Sequence, residues 1–191
     1  MRKMISQIFD LDSFKIISLF SLSPGSRFRR KEIKEKTKLN NVPLDKALLR
    51  LLSSGILKKE ENFYKINFHN ENAKKIIEIS SKQYKDLKEL PFDVYLLLLD
   101  LVSEVSVIKG IEVYLFGSYS KLIYNEKSDV DIAILTPEIF NKKNNIQKTI
   151  QKLEKIYKKN IETHFFVKKL FYKNKKDQLV KEIIKNGMRL I

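Results

Sequence analysis

The sequence predicts a mixed α/β (α+β) protein in two parts, and three observations carry that prediction. Residues 13–68 hold three helical segments followed by two short strand-like runs. Residues 113–135, VYLFGSYSKLIYNEKSDVDIAIL, hold two apolar runs of strand length separated by a Gly-Ser pair and closed by an Asp-x-Asp pair. Apolar residues at helical spacing flank that stretch on both sides.

In the first part, SFKIISLFSL (13–22) reads as a buried helix stopped by Pro24-Gly25. FRRKEIKEKTKL (28–39) reads as a short charged helix with Ile33 and Leu39 inward. After a turn at Asn40-Asn41, Pro43 suits the first turn of a third helix. Leu44, Ala47, Leu48 and Leu51 form its stripe, and Gly55 stands at its stop. ILKKEENFYKINF (56–68) reads as two strands around Glu61-Asn62. Residues 70–90 form a polar helix with Ile76, Ile77 and Ile79 as its apolar edge, expected to link the two parts.

In the second part, Pro91 opens an apolar helix from Phe92 to about Val107. A strand ends at Phe116, and Gly117-Ser118 turns into a short helix. The Asp-x-Asp strand follows and is broken at Thr136-Pro137. Ile139 to Lys158 reads as an amphipathic helix with Ile146, Ile150, Leu153, Ile156 and Tyr157 on one side, and NIETHFFV (160–167) as a third strand. The tail gives a helix through Leu179, Val180, Ile183 and Ile184, a stop at Gly187, and a short strand from Met188.

Asp129 and Asp131 carry the candidate chemistry. A strand places residues i and i+2 on one face, so both carboxylates project together while Val130 and Ile132 turn into the core. Two acids so held repel unless a cation sits between them. An all-oxygen pair suits magnesium, or manganese, which takes substrate phosphate oxygens as further ligands. Gly117 lets the backbone approach a ligand closely, and Ser118 with the following amides offers donors to phosphate. Asp-x-Asp alone is a weak signal, common in turns and exposed strands, and Gly-Ser alone is weaker; together at ten residues' separation they are specific.

At LFGS…SDVDIAIL the chain resembles the nucleotidyltransferase superfamily that includes DNA polymerase beta, and most closely its minimal nucleotidyltransferase members. Where that family often continues Gly-Ser-Tyr with Ala-Arg-Gly, this chain has Ser120-Lys121-Leu122, keeping a cation and losing the second glycine. The resemblance covers residues 91–191. It implies a polymerase-beta-like domain with a mixed sheet and flanking helices, a nucleoside triphosphate substrate, and magnesium or manganese held by Asp129 and Asp131. Gly117, Ser118, Lys121 and Ser128 are the implied nucleotide contacts. It further implies a third carboxylate on a strand beside the pair, and Glu162 is the acid in NIETHFFV, assisting the metal or accepting the acceptor hydroxyl's proton; a glutamate facing water at a sheet edge is the competing reading. His164 shares its face, although a lone histidine is usually structural.

The implied reaction moves a nucleoside monophosphate to a hydroxyl. Minimal members often work with a helical partner of the HEPN type, and some are antitoxins that adenylylate a toxin's tyrosine. A protein acceptor is therefore preferred, with RNA or a small molecule behind it.

Three helices and a hairpin over residues 1–69 resemble a winged helix-turn-helix. That resemblance implies duplex DNA as a partner, with Asn41, Lys46 and Arg50 on the third helix and Lys58, Lys59 and Lys65 on the wing. Asp45 on the same helix face opposes binding, and such modules also dock proteins or form homodimers. The alternative function is accordingly a DNA-binding regulator whose nucleotidyltransferase domain is inactive or senses nucleotide.

Composition bounds these readings. Lys plus Arg number 38 against 23 acids, a formal charge of +15, which favours polyanionic partners; lysine as a general solubilising residue accounts for it equally well. With no cysteine, disulfides, thiolate zinc sites and cysteine nucleophiles are excluded. The longest apolar run, Val94 to Leu99, is far short of the roughly 20 residues a membrane span needs, and a cytoplasmic location is expected.

Overall fold

The computed structural model describes residues 10–87 and 90–191. The start of the first expected domain and residues 88–89 of the expected linking helix lie outside them. The chain divides into two compact units, one ending at Leu96 and the other running from Leu97 to Ile191.

The first unit contains α1 (Leu11–Leu22), β1 (Arg27–Arg29), α2 (Arg30–Thr37), α3 (Asn41–Ser53), β2 (Leu57–Glu60), β3 (Phe63–Ile66) and α4 (Glu71–Asp86). The sheet is antiparallel in the order β1-β3-β2. Residues 13–21 of α1 are all buried, which is why its apolar residues do not fall in one stripe. Asp10 caps α1, its carboxylate accepting the Ser13 N–H at 2.9 Å. Around α1 gather Ile33, Leu44, Ala47, Leu48, Leu51, Leu57 and Ile66.

Two expectations change here. Phe28, read as helical, lies in β1, where its ring packs on Phe20 at 5.2 Å and the strand pairs with β3; the partner strand overrides local helical preference. Helix α4 adds Ala73 and Ile77 to this core and meets α1 through Ser18 and Ser80 at 3.2 Å, while Ile79 is exposed. It is thus an integral part of the first unit.

Helix α5 (Phe92–Val105) crosses the boundary between the units, with Val94–Leu99 fully buried. The second unit continues with β4 (Glu112–Leu115), α6 (Gly117–Lys121), β5 (Val130–Thr136), α7 (Lys143–Tyr157), β6 (Ile161–Val167), α8 (Lys168–Lys173), α9 (Gln178–Asn186) and β7 (Met188–Arg189). Its mixed sheet has the order β6-β5-β4-β7, with β5 and β6 parallel and the other pairs antiparallel.

Strand β5 is buried on both faces along most of its length. Ala133 and Leu135 pack with Phe116, Phe171, Val180 and Ile183 under α8 and α9. Helix α7 starts at Lys143, later than expected. Ile139 is 94% exposed, so no burial holds that turn in a helix; the buried stripe begins at Ile146 and excludes Ile156. The short α8 has no clear sequence signal beyond Phe171, which is buried.

Candidate active site

Register brings two of the acids together. Asp131 on β5 is the pairing partner of Glu162 on the parallel strand β6, so the two side chains leave the same face one strand apart. Asp129 precedes β5 by one residue and shares that face by alternation. Along the same face Ala133 and Leu135 are core, so the acids stand at the end of β5 where the apolar cover stops.

The turn from β4 into α6 closes on Asp131. The Phe116 amide donates to the Asp131 carbonyl at 3.0 Å. Gly117 has φ +67°, and a Cβ built on it would lie 1.9 Å from Asp131 Oδ2. No side chain fits, and the conformation is one that other residues adopt at a cost. The Ser118 backbone N–H donates to the Asp131 carboxylate. At the other end of α6, Leu122 takes the left-handed conformation, φ +59°, where the resembling family often has its second glycine.

Electrostatics register the crowding. Burial, then the charge of Glu162, then that of Asp129, raise the Asp131 carboxyl above the ordinary aspartate range, against a smaller opposite pull from His164 and from the Ser118 amide. A raised carboxyl binds its proton more tightly in the fold than in the unfolded chain. Its favourable contribution is present at low pH and is lost as pH rises through the folded value, so at neutral pH this cluster costs stability.

Glu162 itself is exposed and on an edge strand; its Oε1 lies 3.0 Å from His164 Nε2. The imidazole packs edge-on against Phe116 at 5.5 Å. Among the described residues no group of three or more His, Cys, Asp or Glu is gathered closely enough to enclose a metal ion. The three acids nonetheless offer only oxygen donors, and magnesium commonly takes only one or two carboxylates from the protein.

The other nucleotide contacts expected from sequence are held within the chain. Lys121 pairs with Glu182 of α9 at 2.5 Å. Ser128 Oγ accepts the Asn125 N–H at 2.8 Å, shaping the loop that leads into Asp129. Sequence reading missed Lys159. Its ammonium donates to the Glu126 carbonyl at 3.2 Å and to the Tyr119 hydroxyl at 3.3 Å, while Tyr119 stacks on Tyr124 at 4.6 Å. One lysine in a lysine-rich chain carries no signal of its own.

In the first unit, the residues expected to meet DNA lie on two surfaces. Asn41 and Lys46 are exposed on α3, where Asn41 Oδ1 accepts from Arg30 at 3.4 Å; Arg50 pairs with Asp10 at 2.6 Å. Asp45 is neutralised by Arg30, at 2.7 Å. On the sheet, Lys58 and Lys65 both reach Glu60, at 3.3 and 2.5 Å, and the Lys59 ammonium lies 5.6 Å from the centre of the Tyr64 ring.

Among the described residues no helix is long and apolar enough to cross a membrane. Neither a curated protein nor a solved structure matches the chain. The family model of the nucleotidyltransferase domain matches residues 97–191, the described part of the second unit, and supports a nucleotidyltransferase domain there.

Proposed function

We propose that residues 97–191 transfer a nucleoside monophosphate from a nucleoside triphosphate to a hydroxyl, with Asp129 and Asp131 holding magnesium or manganese and Glu162 completing the acidic group. The observation that carries this reading is the pairing of Asp131 with Glu162 beside a glycine whose missing side chain leaves room for that carboxylate. The charges of Glu162 and Asp129 raise the Asp131 carboxyl, a crowding that a bound cation would relieve.

The acceptor oxygen forms a bond to the α-phosphorus, the bridging bond to the β-phosphate breaks, and pyrophosphate leaves with the electron pair. A divalent ion held by Asp129 and Asp131 would supply positive charge to offset the negative charge developing on the phosphate oxygens. Glu162, exposed beside the pair, takes the acceptor's proton, and the hydrogen bond with His164 orients its carboxylate. Gly117 and Ser118 bring backbone close to the triphosphate; Lys121 joins them by exchanging Glu182 for phosphate, and Ser128 shapes the approach to Asp129. A protein hydroxyl, on a helical partner of the HEPN type, is the preferred acceptor. The regulator reading is weaker: on α3, the helix that would enter the groove, Arg50 is paired with Asp10, which also caps α1.

Incubation with labelled ATP, CTP, GTP and UTP plus magnesium tests the proposal. Asp129→Asn and Asp131→Asn are each expected to lose about 100-fold or more of the transfer rate. Labelling undiminished in both variants rejects the site.

A further inference from the structure

We infer that the solvent face of the three-stranded sheet in the first unit binds single-stranded nucleic acid, with bases stacking at Phe63 and its two arginines and phosphates meeting the neighbouring lysines. Phe28, Tyr64, Ile66 and Leu57 face the core, so alternation turns their neighbours outward. The register then sets out two rows across the strands. One is Arg27, Lys65, Lys58; the other is Arg29, Phe63, Glu60.

The first row places three cations directly opposite one another across three strands, an arrangement that destabilises a sheet. Glu60 is the sole acid in the two rows and is shared by Lys58 and Lys65 at the surface, where such pairs are weak and exchange readily for phosphate. Four cations against one acid make this face attractive to a polyanion.

Phe63 decides between strands and duplexes. The Arg27 guanidinium lies 4.6 Å from its ring centre and that of Arg29 lies 5.0 Å away, so one half-buried aromatic is overlaid by two planar cations. Aromatic rings and guanidinium planes are the surfaces on which unpaired bases stack; paired bases cannot reach them. Lys58 and Lys65 also line an adjoining cleft of about 250 Å³ with Phe68, 45% exposed, and His69, which prolongs the cationic and aromatic track. A duplex contacting the same lysines would use the charge and leave Phe63 idle.

The test is fluorescence anisotropy on the full chain without magnesium or nucleoside triphosphate, so its outcome is independent of nucleotidyl transfer. The probes are labelled oligo(U), oligo(dT) and a duplex of equal length. The single strands are expected to bind more tightly than the duplex. Phe63→Leu should weaken them by about 5- to 100-fold with the salt slope unchanged. Arg27→Gln combined with Lys58→Gln should flatten the slope by about 0.7 per cation removed. Should Phe63→Leu unfold the sheet by circular dichroism, the charge variant and Arg29→Gln carry the test. Equal or tighter duplex binding overturns the inference, as does single-strand affinity unmoved by the folded variants.

Discussion

Gly117 shows how much of the site rests on one missing methyl group. The residue has a positive φ, and the place of its side chain is already filled by the Asp131 carboxylate, 1.9 Å from a built Cβ. Gly117→Ala therefore combines backbone strain of about 1–2 kcal/mol with displacement of a carboxylate on which the proposed chemistry depends. It is expected to lower the melting temperature and the transfer rate together, read by calorimetry and by the labelled-nucleotide assay. An alanine variant with wild-type rate would show that Asp131 need not stand where the fold puts it. Sequence marked this glycine for its turn and its approach to phosphate; contact with Asp131 was invisible, because it joins residues fourteen positions apart across two strands.

At the scale of elements, the far end of β4 is tied down by a buried acid. Glu112 is 5% exposed and accepts from Lys168 and Tyr172 at 2.5 Å each and from Arg189 at 3.1 Å, joining β4 to α8 and β7. Burial alone would raise its carboxyl, but hydrogen bonds from Lys168 and Tyr172 and the charges of Arg189 and Lys168 outweigh burial and hold it below the ordinary glutamate value. The stability this contributes is present above the unfolded value and is lost as pH falls through the folded one. Glu112→Gln should cost about 1.5–3 kcal/mol near neutrality by weakening the charge-assisted hydrogen bonds from Lys168 and Arg189, which are themselves partly exposed. Urea unfolding at about pH 7 and again at about pH 2 checks this, since the difference should shrink once the wild-type carboxyl is protonated in both states. A cost unchanged at the lower pH would assign it to packing.

For the whole molecule, the chain divides into two compact units, and the proposed function concerns the second. Magnesium with nucleoside triphosphate binds the second unit under the proposed function, and a ligand at 100 times its dissociation constant adds about 2.7 kcal/mol. Hydrogen exchange should show that gain along α6, β5 and β6, with none in α1 to α3 and none anywhere in Asp129→Asn. Protection spread over the first unit would place nucleotide there and remove the site from β5.

What sequence alone determined is what local spacing encodes. Asp129-x-Asp131 with Gly117-Ser118 ten residues before it, the alternation of β5, and the stripe of α3 follow from periods of two and 3.6 residues, which need no partner to be read. Tertiary structure decided what depends on pairing. Glu162 was assigned by resemblance and became a neighbour of Asp131 through parallel register, β1 took Phe28 out of an expected helix because β3 offered it a ladder, and Arg27, Arg29 and Phe63 became one surface only once three strands were aligned. Register is a property of two segments at once, and no single run of residues carries it.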